Sequence, residues 1–191
     1  MLEHVAQYKK KIRIFFFDYG QVFLCGVLLT LTLCLVCFVI SSIGPKKLKV
    51  SFLDIGQGDA ILIQTPGGHD MLIDGGGSDN VLEKMSRQMS YFDRHIDVVV
   101  ATHPDADHIT GLIPVLTKYQ VNDIVVSPLS GHTGIAESLG KSIEGEGAKV
   151  HVARKGDQII FGDGVVTHIL YPTKNLHVSE SETNDASVSL V

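Results

Sequence analysis

From Val22 to Ile40 the chain reads VFLCGVLLTLTLCLVCFVI, nineteen residues without a charge. As a helix rising about 1.5 Å per residue, such a run is roughly 28 Å long, close to the ~30 Å hydrocarbon core of a bilayer. It predicts a single transmembrane helix over 21–43, preceded by a short basic segment, 1–20, that holds Lys9, Lys10, Lys11 and Arg13. A cleaved secretory signal is the competing reading, but its apolar region is usually about 7 to 15 residues long, and no Ala-x-Ala-like site follows here. Lys46, Lys47 and Lys49 flank the far side of the run. The basic flanks therefore lean only slightly toward a cytoplasmic N-terminus, which would place a single-pass protein in the cell membrane with its soluble part extracytoplasmic.

Cys25, Cys34 and Cys37 all lie inside this run. They read as small apolar residues and supply neither a disulfide framework nor a zinc site. Of the 16 basic and 21 acidic residues, 6 and 2 precede Lys49, which leaves 10 against 19 beyond it, a net charge of −9. That balance opposes a broad phosphate-binding surface. Part of the acid can instead serve a metal.

Beyond the breaker Ser41-Ser42 and Gly44-Pro45, apolar and polar residues alternate from Lys49 to Ile55, Asp59 to Thr65 and His69 to Asp74. This pattern predicts an antiparallel meander, with Gly67-Gly68 in a tight turn. Val81, Leu82, Met85, Met89 and Phe92 then recur at helical spacing behind a Ser78 or Asp79 cap. A strand over Asp97–Thr102 follows, then a helix with Leu112, Ile113 and Leu116 that tolerates Pro114 only in its first turn. Strands over Asp123–Ser127 and Lys149–Ala153 flank a third helix carrying Ile135, Leu139 and Ile143. Gln158–Phe161, Val165–Tyr171 and Ser187–Val191 return to strands. Strands first and alternating helices and strands afterwards fit a layered domain of sheets covered by helices.

The chemistry concentrates in VVVATHPDADHITGL, where a strand delivers His103, Asp105, Asp107 and His108 into a loop. Four imidazole and carboxylate groups within six residues converge on one or two divalent cations only if the backbone leaves regular structure, as a strand-to-helix loop does. Without a cation, two carboxylates would be crowded with only two imidazoles to offset them. The competing reading is a solvated loop in which Asp107 caps the helix and the histidines are incidental.

This motif resembles the metallo-β-lactamase superfamily, marked by His-x-His-x-Asp-His after a strand. With Asp in the second place, and with FLDIGQGDAILIQTPGG and MLIDGGG before it, residues 49–191 look like the soluble domain of ComEC-type DNA-internalisation proteins. The resemblance implies an α+β fold, an αββα four-layer sandwich, of which this chain would hold the N-terminal part. It implies a metal-dependent hydrolase, with phosphodiesters or DNA as substrates and zinc, or alternatively manganese, as the cation. His103 and Asp105 would face a first metal position and Asp107 and His108 a second, with Asp107 also catalytic. Asp74 would brace the loop nearby, and Asn184 would stand where other members carry a further metal ligand. Asp54 and Asp59 read as turn and sheet-edge residues, and the remaining histidines as isolated, with His132 the one closest to interest.

The family's later Gly-Asp segment and its final histidine have no counterpart before Val191, and Gly156-Asp157 and Gly162-Asp163 read as hairpin turns. A truncated, non-catalytic remnant and an accessory subunit completed by another chain are therefore the alternatives to a membrane-anchored enzyme.

Overall fold

A computed structural model describes residues 2–42, 47–90, 92–129, 131, 133–173 and 187–191; for 2–18 and 40–42 it describes only the backbone. Asn184, His132 and His177 lie outside the described residues. The chain divides into two compact units, Met1–Pro45 and Lys46–Val191.

The first unit is one helix, α1 (Leu2–Ser42), which runs unbroken through the basic segment. Its stretch Tyr19–Val39 has a mean hydropathy of 2.8 and is long and apolar enough to cross a membrane. The two threonine hydroxyls in this stretch bond back into the helix, Thr30 Oγ1 donating to the Val27 carbonyl at 2.8 Å and Thr32 Oγ1 to that of Leu28 at 2.7 Å. Such back-bonding satisfies a polar group where no water is at hand.

The second unit opens on β1 (Lys49–Phe52), β2 (Ile61–Gln64) and β3 (Asp70–Ile73), paired antiparallel in that order. From there α2 (Asn80–Ser86), β4 (His95–Ala101), α3 (Ala106–Ile109), α4 (Leu112–Lys118), β5 (Gln120–Val126), α5 (Gly134–Glu146) and β6 (Lys149–Val152) alternate. Strands β3 to β6 are parallel, giving one six-stranded sheet in chain order. A second sheet of β7 (Gln158–Ile160), β8 (Val166–Tyr171) and β9 (Ser189–Leu190) is antiparallel.

Successive side chains of a strand point to opposite faces, and here both faces of the large sheet are covered. Leu62, Leu72, Val99 and Ile124 pack against Met85, Ile109, Leu112, Val115 and Leu139 of the helices. Met71, Val98, Val100 and Val125 pack against Phe161, Ile169 and Val188 around the small sheet. Two-sided burial explains why Val98-Val99-Val100 is apolar without alternation. Each such side chain contributes about 1.5–3 kcal/mol on leaving water. Helices, large sheet and small sheet form three layers. On the outer face of the small sheet Ile160, Val166 and Leu170 are exposed.

Three expectations on element length are corrected. Strand β1 stops at Phe52 because Gly56 and Gly58 take φ of 89° and 91°, opening a loop that closes again with Leu53 N donating to the Ala60 carbonyl at 2.9 Å. Helix α2 ends at Ser86: the amides of Gln88 and Met89 both fold back on the Met85 carbonyl. Met89 stays buried while Phe92, predicted on the same apolar face, is 89% exposed. The Asp93 carboxylate then accepts the His95 amide at 3.1 Å, and β4 begins two residues before the predicted Asp97.

A candidate metal centre at the ends of two parallel strands

Because β3 and β4 run parallel with Ile73 opposite Val100, their C-terminal ends emerge side by side. Crevices beyond the carboxyl ends of parallel strands are the usual place for a ligand site. One end delivers Asp74, whose amide prolongs the ladder to the Val100 carbonyl at 2.9 Å. The other delivers Thr102 and His103. Asp74 has φ 55°, a left-handed conformation that Asp tolerates better than most residues.

Glycines let the surrounding loops press against the metal-motif loop. Gly75 N donates to the His108 carbonyl at 2.8 Å, and Gly111 N to that of Gly76 at 2.9 Å. A Cβ at Gly111 would stand 1.9 Å from the Gly75 oxygen, and one at Gly58 would stand 1.7 Å from the Asp107 oxygen. The single turn of α3, with Asp105 at its N-cap, carries Asp107 and His108 within this backbone clamp.

The proton positions in the cluster follow from valence. The Asp74 carboxylate accepts Thr102 N at 2.8 Å, Thr102 Oγ1 at 2.5 Å and His108 Nδ1 at 2.9 Å. Thr102 has spent its one hydroxyl proton on Asp74, so at 2.9 Å it can only accept from His103 Nδ1. Both imidazoles therefore carry their proton on Nδ1 and leave the Nε2 lone pair for a ligand. The rings lie 3.9 Å apart between centroids. Metal-binding histidines are oriented in this way by an outer carboxylate or hydroxyl.

Electrostatics separate the two rings. Burial, reinforced by neighbouring His108, holds His103 below the ordinary histidine range, so it is a neutral donor. The hydrogen bond to Asp74 pushes His108 above that range. A cation taking His108 Nε2 must displace a proton as the pH falls.

Asp105 Oδ2 stands 3.7 Å from His103 Nε2. That is too long for a hydrogen bond. The two atoms would instead be near enough to reach one divalent cation together. Ligand-type atoms of Asp74, His103 and His108 all fall within 4.8 Å of one another. Both oxygens of Asp74 are engaged, which suits it to orienting the rings. The charge of Asp107 acts on both imidazoles. The donor set, a neutral His103 and a His108 that gives up a proton on binding, with carboxylates beside them, fits a divalent cation.

Thus Asp74, His103 and His108 come together within ligand distance, Asp105 stands beside His103, and Asp107 reaches both rings through its charge. Thr102 was not singled out from sequence, and the signal available was a polar residue ending a buried strand directly before the motif. Asp59, read as a sheet-edge residue, is exposed but its charge reaches His108. Two histidines read as isolated are paired, His69 Nδ1 with Asp97 at 3.0 Å and His151 Nε2 with Asp123 at 2.7 Å.

The sequence model of the metallo-beta-lactamase superfamily matches residues 53–180, and the chain belongs to that superfamily. Among solved structures it is similar to MEM-A1, a subclass B3 metallo-beta-lactamase isolated from a soil metagenome library, at 17% identity and a TM-score of 0.50, covering 74% of this chain and 53% of that one. It is also similar to the Rm3 metallo-beta-lactamase, at 15% identity and a TM-score of 0.47, covering 69% and 54%. A metallo-beta-lactamase of Cronobacter sakazakii gives 16% identity and a TM-score of 0.48, covering 74% and 54%. The chain spans about half the length of these structures. No curated protein matches it in sequence. At 17% identity the likeness to MEM-A1 shows the fold alone, while membership of the superfamily implies divalent-metal binding, for which the cluster is a partial candidate site.

Proposed function

We propose that this chain is a membrane-anchored, metal-dependent hydrolase that resembles the ComEC-type soluble domain and acts on phosphodiesters, DNA among them. His103 and Asp105 face one cation and Asp107 and His108 a second, zinc in the first instance and manganese as the alternative. Tyr19–Val39 anchors the chain in one pass, and the metal-bearing unit is extracytoplasmic. The observation that carries this reading is the pair of Nε2 lone pairs fixed by Thr102 and Asp74, with the Asp105 carboxylate 3.7 Å from one of them.

A bound divalent cation supplies Lewis acidity, acidifying water and polarising a phosphoryl or acyl oxygen. The chain's own residues do the rest. Asp74 holds a proton on His108 Nδ1 directly and, through the Thr102 hydroxyl, holds one on His103 Nδ1. Asp107, whose backbone and Cβ lie against Gly58 and Gly77, is the carboxylate assigned to accept a proton from an attacking water. Phosphodiesters are favoured by the subfamily resemblance, while the acidic surface beyond Lys49 argues for a substrate engaged at the metal and against broad backbone binding.

The test uses the full chain purified from membranes. Wild type should hold zinc or manganese and hydrolyse bis(p-nitrophenyl) phosphate or single-stranded DNA, with both properties lost in His103→Ala and Asp107→Ala. Equal metal content in wild type and the double mutant would overturn the reading.

A further inference from the structure

A cavity of about 360 Å³ opens beside His103, between the ends of β4 and β5 and the face of α5. Ala101 and Val126, paired across β4 and β5, contribute to its wall from the sheet. Leu139, Gly140 and Ile143 form the wall from α5. Among the described residues no charged side chain lines it, and the polar side chains there are those of His103 and Ser127. Its size is at the small end of the range for ligand pockets, roughly 300–1,000 Å³.

A packing flaw would be the simplest account of such a space, and Gly140 argues against it. Glycine inside a helix costs about 1 kcal/mol relative to alanine. A Cβ at Gly140 would meet nothing within 4 Å, although this residue lies on the helix face turned to the cavity, beside Leu139 and Ile143. A side chain there would both strengthen α5 and fill the space, yet the position holds the residue that leaves it open.

We infer that this cavity receives a compact apolar group of the substrate, such as an aryl ring or a branched alkyl chain, next to the bond hydrolysed at the metal centre. The inference rests on the hydrolase reading for the identity of that bond. Its own support is that His103 belongs to both places: its Nε2 faces Asp105 while the residue lines the cavity wall. A charged group would lose its hydration there against a wall whose described side chains are apolar apart from His103 and Ser127. The substrate is accordingly a mixed ester, with an ionic part at the cations and an apolar part in the cavity.

The test fills the cavity with Gly140→Leu, and half-fills it with Gly140→Ala, in the full chain with zinc. Two probes share one charged head: 4-fluorophenylphosphonate, followed by its ¹⁹F signal, and methylphosphonate, followed by competition. Gly140→Leu should weaken the aryl probe at least tenfold and methylphosphonate less than twofold, with Gly140→Ala between. If Leu does not fold, the selective loss must still appear with Ala, whose methyl meets open space. Equal loss of both probes, or aryl affinity unchanged within twofold in both variants, would overturn the inference. In parallel, bis(p-nitrophenyl) phosphate and methyl p-nitrophenyl phosphate report turnover. Selective aryl loss without turnover of either ester would remove the hydrolase reading and leave the cavity's assignment standing.

Discussion

Asp74→Asn changes one atom and should disable both histidines. Asparagine matches aspartate in volume and tolerates the φ of 55° at this position, so the strand end and the backbone bond to Val100 stay in place. Its amide oxygen can still accept Thr102 N. Its amide nitrogen, where Oδ2 stood, can only donate, and it faces Thr102 Oγ1 and His108 Nδ1. His108 must then present a bare Nδ1 and carry its proton on Nε2. Thr102, now accepting from the amide, turns its own proton toward His103 Nδ1 and forces the same inversion there. Both metal-facing lone pairs are consumed by protons. Loss of one outer partner typically weakens metal binding by about 10- to 100-fold, or roughly 1.4–2.7 kcal/mol. Two rings governed by one oxygen put the expected loss at or above the upper end, on the order of 100-fold. Competition with a chromophoric zinc chelator measures the affinity, circular dichroism checks the fold, and ¹⁵N chemical shifts of the imidazoles report the tautomers directly. Zinc affinity within threefold of wild type, or histidines that keep their Nδ1 protons in the variant, would refute the relay.

The intact chain should partition with membranes and resist carbonate extraction, because a 21-residue span of this hydropathy is too costly to leave in water; a soluble product beginning near Ser41 would overturn the anchor. Gly111→Ala places a methyl 1.9 Å from the Gly75 oxygen, where backbone meets backbone; a loss of about 3 kcal/mol or more is expected, against the 1–3 kcal/mol usual for overpacking, and denaturant unfolding with an unchanged midpoint would contradict it. Burial, followed by the charges of Asp93 and Asp97, raises Asp70 above the ordinary carboxylate range, although its bond from Gln64 pulls the other way. A raised acid costs stability above its folded pKa and regains it as pH falls toward the unfolded value, so Asp70→Asn should raise Tm at pH 7 with a difference that shrinks toward pH 4; a constant or reversed difference would refute the burial argument.

The elements were legible where a local pattern decides them. The uncharged run from Val22, the alternation of β2 and β3, and the loop after Val98-Val99-Val100 each follow from composition within a short window. Parallel pairing of β3 through β6 could not be read that way, because period-two alternation says which face a side chain takes and nothing about which strand lies alongside. The end of α2 was missed for a related reason: Leu82, Met85, Met89 and Phe92 keep helical spacing, but the backbone must turn so that Asp93 can accept the His95 amide and β4 can begin. His69 with Asp97 and His151 with Asp123 were invisible because the members of each pair are 28 residues apart and meet only when neighbouring strands pair.

The metal centre divides along the same line. Residue types that can bind a cation are contiguous, from His103 to His108, and the motif is readable for that reason. What aims the imidazoles is not contiguous: Asp74 reaches Thr102 from 28 residues away and His108 from 34. Its carboxylate arrives there because β3 and β4 are parallel and in register, because the residue turns into a left-handed conformation, and because Gly75 and Gly111 let the backbones meet. The six-residue motif on a foreign loop would therefore keep its ligand atoms and lose their protonation states. Each imidazole would then sample both tautomers, and the two Nε2 lone pairs would seldom be available together. Metal affinity in this chain depends on the pairing of two strands as much as on the residues that touch the ion.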